Sequence, residues 1–363
     1  MTTHASIRAA RSRRRRMASA IALLTMIATQ SAIAQKTKAP TKPPAAAAAN
    51  MPSPAQIQAA VDAAYNKYKN LDSGKVADYI PILGKADPKL FGIAVVTADG
   101  KVYTAGDVTK EVSIQSISKV FTMARVIQDS GEMAIENNIG VDATGMKFNS
   151  IIAVEVEKGA EINPMVNPGA ITTTSMVGGA NADAIWQKII GTYNDFAGRN
   201  LSVLDEVYQS EAATNQRNQA IGSLMYAYGH IHDNPAQATD IYTKQCAVGV
   251  NAKDLGMMAA TLAFGGRNPV TGKQAIDAVH VPSVLAVMAT AGLYDDSGKW
   301  LYHTGLPAKS GVGGGIIAVS PGKFGIGVVS PPLDAAGNSV RAQRAIADIS
   351  AALGGNPYQV AKR

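Results

Sequence analysis

Strand patterning in this chain sits at two places far apart. Phe91–Thr97 is strand-like, Asp99-Gly100 makes a hairpin turn, and Lys101–Ala105 runs back. The next comparable runs are Gly315–Ser320 and Phe324–Ser330, on either side of Pro321-Gly322-Lys323. Between them the apolar residues recur at helical spacing. Ile117, Val120, Phe121, Ala124 and Ile127 form one stripe, starting from Ser116 and ending near Gly131. Ile185, Trp186, Ile189, Ile190 and Tyr193 form another, and Leu255, Met258, Ala259 and Leu262 a third, closed by Gly265-Gly266. Helical runs also bracket the strands. Residues 54 to 70 place Ile57, Ala60, Val61, Ala64 and Tyr65 on one side, behind a Ser53 cap and Pro54, and Ser339–Leu353 forms a last helix. Hairpins from both ends must then share one sheet. The pattern predicts an α+β fold: an antiparallel sheet flanked by helices, formed from both termini, with an all-helical insertion. The sheet part covers about 53–115 and 295–363, the helical part about 116–294. A binding site is expected in the cleft between them. There is no internal repeat.

The first 52 residues stand apart from this pattern. Six arginines (Arg8, Arg11, Arg13, Arg14, Arg15 and Arg16) precede the apolar stretch Met17–Ile33, and Ala32-Ile33-Ala34 supplies a small-x-small cleavage site. This is the grammar of a secretory signal peptide over residues 1–34, cleaved after Ala34. The arginine run also admits a twin-arginine reading. Residues 35–52, rich in Lys, Pro and Ala, read as an extended linker. The mature chain is expected in the periplasm or outside the cell, with no stable membrane span once the leader is removed.

Charge supports that division. The whole chain carries 34 basic and 27 acidic residues, a formal charge of +7. Without the six leader arginines the counts are 28 and 27, so no basic face remains for nucleic acid. A hydrophobic fraction of 47% against 17% charged residues supplies a sizeable core and argues against bulk disorder. The single cysteine, Cys246, excludes an intramolecular disulfide and a cysteine-based zinc cluster. His230 and His232 form an H-x-H, a poor metal signature read here as a wet helix end. No metal and no cofactor is expected.

The chemistry-bearing motif is Ser116-Ile117-Ser118-Lys119. On a helix, positions i and i+3 share a face, so the lysine amine can reach the serine hydroxyl. A serine is a weak nucleophile until a neighbour takes its proton. A lysine can do so once burial lowers its pKa well below ~10.4. Ser320-Pro321-Gly322-Lys323 has the same spacing but falls on a hairpin turn with the wrong geometry. A second element, Lys309-Ser310-Gly311, precedes Gly313-Gly314-Gly315 and a strand. It looks like the K-[ST]-G strand of serine acyl-transferases, where the lysine adds positive potential and a strand amide completes an oxyanion hole. A phosphate loop is the rival reading. It is rejected because the glycines lead into a strand and lack a Walker lysine.

Several longer motifs then resemble one family. Gln115-Ser116-Ile117-Ser118-Lys119, Asn163-Pro164-Met165-Val166-Asn167-Pro168-Gly169-Ala170-Ile171, Ser210-Glu211 with Arg217-Asn218, and Gly305 through Gly314 are similar to segments of the serine-dependent glutaminases. The resemblance runs from about Asp78 to Asp334. It implies the β-lactamase/transpeptidase-like fold and hydrolysis of L-glutamine to L-glutamate and ammonia, by a homo-oligomer of two or four chains. It makes Ser116 the nucleophile and Lys119 its activating partner. Tyr294 becomes the proton-shuttling tyrosine, and Tyr79 a second active-site tyrosine. Substrate contacts implied are Gln115, Ser116, Asn167, Glu211, Asn218, Tyr242, Tyr294 and Val312. The S-D-N triplet of the wider superfamily is missing, so the tyrosines are left with its proton work.

The substrate has its own logic. The ammonium of glutamine wants a carboxylate, and Glu211 is the candidate. Its α-carboxylate wants donors such as Asn167, Asn218 and Tyr242. A continuous helix over 211–218 would put Glu211 and Asn218 on one face. Two alternatives remain at this point: a penicillin-recognising serine hydrolase or D,D-peptidase, and a non-catalytic periplasmic glutamine-binding module.

Overall fold

The computed structural model describes residues 51–160 and 162–359. The expected leader over 1–34, and the linker as far as residue 50, lie outside the described residues. Among the described residues there are seven strands: β1 (Gly92–Thr97), β2 (Val102–Gly106), β3 (Val112–Ser113), β4 (Gly249–Val250), β5 (Ala308–Gly311), β6 (Gly315–Ser320) and β7 (Phe324–Val329). Five form the main sheet in the order β2-β1-β7-β6-β5. Every pairing in it is antiparallel, with β1 from the N-terminal half set beside β7 from the C-terminal end (Val95 opposite Ile326). β3 and β4 make a separate two-stranded ladder.

The outer face of the sheet carries the first and last helices. Pro54–Tyr68 starts in a capping box: Gln56 Oε1 accepts from the Ser53 amide at 2.8 Å, and the Ser53 hydroxyl accepts from the Gln56 amide at 3.3 Å. Its Ile57, Val61 and Ala64 pack with Ala342, Ile346 and Ile349 of helix Val340–Leu353 over Ile93, Val95, Ile326 and Val328.

The inner face is shaped by the period of two in β7. Phe324, Ile326 and Val328 point outward, so Gly325 and Gly327 point inward. Helix Ala252–Ala263 lies directly on them. A Cβ on Gly325 would sit 2.1 Å from the Ala260 amide nitrogen, and one on Gly327 2.2 Å from that of Gly256. Bare backbone lets helix and sheet approach this closely. This helix, drawn from the middle of the chain, therefore belongs to the sheet's own packing. The middle helices Ser118–Ser130, Asn167–Ser175, Gln216–Ala227 and Pro235–Cys246 pack around Phe121, Tyr193 and Phe196, while Asp205–Ala212 sets Val207 in a smaller cluster with Ile80, Leu83 and Val312. The predicted α+β layout is the one observed. Among the described residues no single helix is long and apolar enough to cross a membrane.

Candidate active site

The S-x-x-K motif straddles a change of helix type. Gln115–Ile117 is a 3-10 turn, and the α-helix begins at Ser118. Ser116 thus lies one turn before the helix that its apolar period predicted it would open. The reversal out of β3 is made at Gln115, whose φ of 48° is left-handed. That conformation costs a residue bearing a side chain about 1–2 kcal/mol. Tyr294, with φ of 57°, is another non-glycine residue in that region.

β5 lies against this turn. A Cβ on Gly311 would stand 2.6 Å from the Ile114 carbonyl oxygen, and one on Gly313 2.3 Å from that of Ser113. The glycines after Lys309-Ser310 are thus needed for two backbones to touch. The amides of Ser116 and Val312 have no backbone acceptor among the described residues.

Behind Ser116 the polar groups are buried and paired. Lys119 is 1% exposed, and its Nζ donates to Asn167 Oδ1 at 2.7 Å and to the Met165 carbonyl at 3.3 Å. Among the described residues these two oxygens are the hydrogen-bond partners of the amine. Burial is the main cause that brings its pKa down to about 7. Asn167 is a hub: its Oδ1 also accepts from the Tyr242 hydroxyl at 3.2 Å, and its Nδ2 donates to Asn218 Oδ1 at 2.9 Å. Tyr294 donates to the Ser310 carbonyl at 3.3 Å. Burial pushes its phenol up to about 12, while a hydrogen bond with Ser116 pulls the other way. Lys309 is fully buried, donates to the Ser310 carbonyl at 2.8 Å and lies 4.2 Å from the centre of the Tyr294 ring. Burial, and then the nearby Lys119, hold its amine well below the usual lysine range.

In front of Ser116 is a cleft of about 150 Å³. It brings together Tyr79, Gln115, Ser116, Asn167, Glu211, Asn218, Tyr242 and Val312. Lys119 and Tyr294 stand in the layer behind. Tyr79 is more than half exposed and sits at the mouth. Glu211 is 7% exposed and accepts from Gln115 Nε2 at 3.2 Å. Burial is the main cause that raises its pKa to about 7, with Gln115 and Lys119 opposing.

Glu211 and Asn218 reach the cleft by a different route from the one expected. One helix ends at Ala212 and the next begins at Gln216. Asn215 occupies the break and donates from its side chain to Thr243 Oγ1 at 2.9 Å. Both residues line the cleft across this turn, not along one continuous helix. The cleft also contains Phe148, Asn149 and Arg217, which sequence reasoning did not assign. Phe148 packs against Tyr294 with the ring centres 4.9 Å apart and the planes tilted by 42°, and its carbonyl accepts from the Asn167 amide at 2.7 Å. Arg217 donates to the Asn149 carbonyl at 2.9 Å. Its one sequence signal was its place beside Asn218.

The decoy motif is accounted for. Ser320 donates to the Gly355 carbonyl at 2.7 Å and Lys323 to that of Gly354, so both fasten the end of the last helix. Both ring nitrogens of His230 meet backbone carbonyls, those of Asn138 and Lys158.

The chain is similar to known proteins over most of its length. The family model described as Glutaminase matches residues 74–358. A glutaminase of Colwellia psychrerythraea is 52% identical over 310 residues, covering 85% of this chain and all of its own. Glutaminase 1 of Shigella flexneri is 46% identical over 304 residues, 84% of this chain and 98% of its own. The solved structure of a probable glutaminase, ybaS, superposes with a TM-score of 0.84 at 45% identity, covering 85% of this chain and 100% of that one. A probable glutaminase of Bacillus subtilis gives 0.74 at 29% identity, over 83% and 96%.

Proposed function

Since this chain belongs to the glutaminase family, with its β-lactamase-like fold, and hydrolyses L-glutamine to L-glutamate and ammonia, we propose that Ser116 carries the reaction through a glutamyl ester. The observation that carries this reading is how Lys119 is held. A neutral amine has two N–H groups and one lone pair. Asn167 and Met165 take the two N–H groups, which leaves the lone pair free for the proton of Ser116. Burial brings the amine's pKa to about 7, so a large share of it is neutral at neutral pH, as a general base requires.

The steps follow. Ser116 Oγ attacks the side-chain carbonyl carbon as its proton passes to Lys119. The oxyanion that forms meets the free amides of Ser116 and Val312. Tyr294 keeps its phenol proton at neutral pH and gives it to the Ser310 carbonyl; turned toward the departing group, it can hand that proton to the ammonia. Water then attacks the ester, and the proton transfers run in reverse. Glu211 receives the substrate ammonium. Asn218 and the rim guanidinium of Arg217 supply donors for the α-carboxylate, while Tyr242, whose hydroxyl proton goes to Asn167, lines the cleft beside them.

Replacing Ser116 with Ala should abolish ammonia release, and near wild-type turnover by the folded variant overturns the assignment. The relatives are glutaminases, and none supports a penicillin-recognising hydrolase or a glutamine-binding module. We also read residues 1–34 as a cleaved leader that exports the enzyme, on the strength of its arginine cluster, apolar stretch and Ala-Ile-Ala site. N-terminal sequencing of the mature protein should begin at Gln35. Assembly of two or four chains belongs to the same reading and rests on the family resemblance.

A further inference from the structure

The carboxamide of Gln115 is committed on both of its N–H groups. Nε2 donates to Glu211 Oε2 at 3.2 Å and to Ser113 Oγ at 3.1 Å. A carboxylate only accepts, so it dictates which end of the amide faces it. With one N–H on Glu211, the other must find an acceptor, and the Ser113 hydroxyl is that acceptor. Ser113 is 2% exposed and anchored in β3 opposite Gly249 of β4. Gly313 packs on it from the far side, where a Cβ would stand 3.2 Å from Ser113 Oγ. One amide therefore ties the β3 ladder and the nucleophile turn to the helix carrying Glu211.

The backbone at Gln115 points the same way. A left-handed φ suits glycine, yet the position holds a buried glutamine, so what its side chain does accounts for it. Both N–H groups are used within the protein, which leaves only Oε1 to face a bound substrate.

We infer that Ser113 is a positioning residue of the ammonium subsite, fixing the Gln115 carboxamide that in turn aims the Glu211 carboxylate. The inference rests on the reading of Glu211 as the ammonium partner. Ser113 itself touches no reacting atom, so its loss belongs in substrate affinity rather than in the chemical step.

The test is steady-state kinetics of Ser113→Ala, Gln115→Leu and the double variant. The substrates are glutamine and its analogue with hydrogen in place of the α-ammonium. Ser113→Ala should raise KM for glutamine about three- to tenfold, the worth of one hydrogen bond, with kcat within about twofold. Its kcat/KM for the analogue, which has no ammonium to aim at, should stay unchanged. In the Gln115→Leu background the same substitution should add less than about twofold, because the amide it acts through is gone. Ser113→Cys keeps the volume with a poor acceptor and should behave as the alanine variant, which covers a failure of the latter to fold. An unchanged KM, an equal loss on both substrates, or a full effect in the Gln115→Leu background overturns the inference. Glu211→Gln separates the two failures. If it cripples glutamine turnover while Ser113→Ala does not, Ser113 alone is misassigned. If it too is silent, the Glu211 reading falls and this inference with it.

Discussion

Replacing Glu211 with Gln should make the protein more stable and a much worse enzyme. Burial holds this carboxyl at about 7, against an ordinary 4.5. The difference of ~2.5 pH units corresponds to ~3 kcal/mol of penalty on the ionised form. The folded pKa lies above the unfolded one, so the folded protein binds the extra proton between about pH 4.5 and pH 7. Stability therefore falls as pH rises through that window, and the full ~3 kcal/mol is missing above it. Glutamine at this position has no charge to bury and can still accept from Gln115. Glu211→Gln should accordingly raise the melting temperature at about pH 8 and change it little at about pH 4. The same change leaves the substrate ammonium without its anion, a loss of ~2–5 kcal/mol in a desolvated pair. That predicts a fall in kcat/KM of about 30-fold to a few thousand-fold. An analogue acetylated on its α-amino group should be rejected by the wild type and discriminated less by the variant. Melting curves at the two pH values and an ammonia-release assay decide the matter. Wild-type kinetics, or an equal drop in melting temperature at both pH values, would refute the reasoning.

Two further outcomes follow from the same geometry. The proposed mechanism needs Lys119 neutral and Glu211 ionised, and burial brings the pKa of each to about 7. kcat/KM should therefore fall as pH drops below about 7, with a limb steeper than one proton that reduces to one proton in Glu211→Gln; a single-proton limb in the wild type counts against the pairing. In the core, Gly327→Ala would push a methyl group to 2.2 Å from the Gly256 amide nitrogen. It should destabilise the protein by about 3 kcal/mol, read as a lower denaturation midpoint, with an unchanged midpoint contradicting the close approach.

What the sequence made legible was whatever depends on local period. The amphipathic helices and the two hairpins could be found from spacing alone, and with them the closing of one sheet from both ends. The 3-10 turn at Gln115–Ile117 could not, because three residues are too few to show a period. The break at 213–215 was hidden for another reason: Asn215 is compatible with a helix until its side chain finds Thr243, 28 positions away. The same limit applies to the grip of Asn167 on Lys119, separated by 48 positions. Phe148 and Asn149 went unnoticed because they sit in an irregular segment placed by contacts distant in sequence, from the Asn167 amide, Arg217 and Tyr294. Motifs pointed to the family, but the hydrogen bonding around Lys119 is a property of the assembled fold.

The central claim is that the glutamyl group passes through Ser116, and trapping that ester tests it most directly. Rapid acid quench of the enzyme turning over glutamine, followed by peptide mass spectrometry, should find one glutamyl group on the peptide containing Ser116. The adduct should be removable by hydroxylamine and missing from Ser116→Ala. A glutamyl adduct on another residue, or steady ammonia release by Ser116→Ala, would contradict the account.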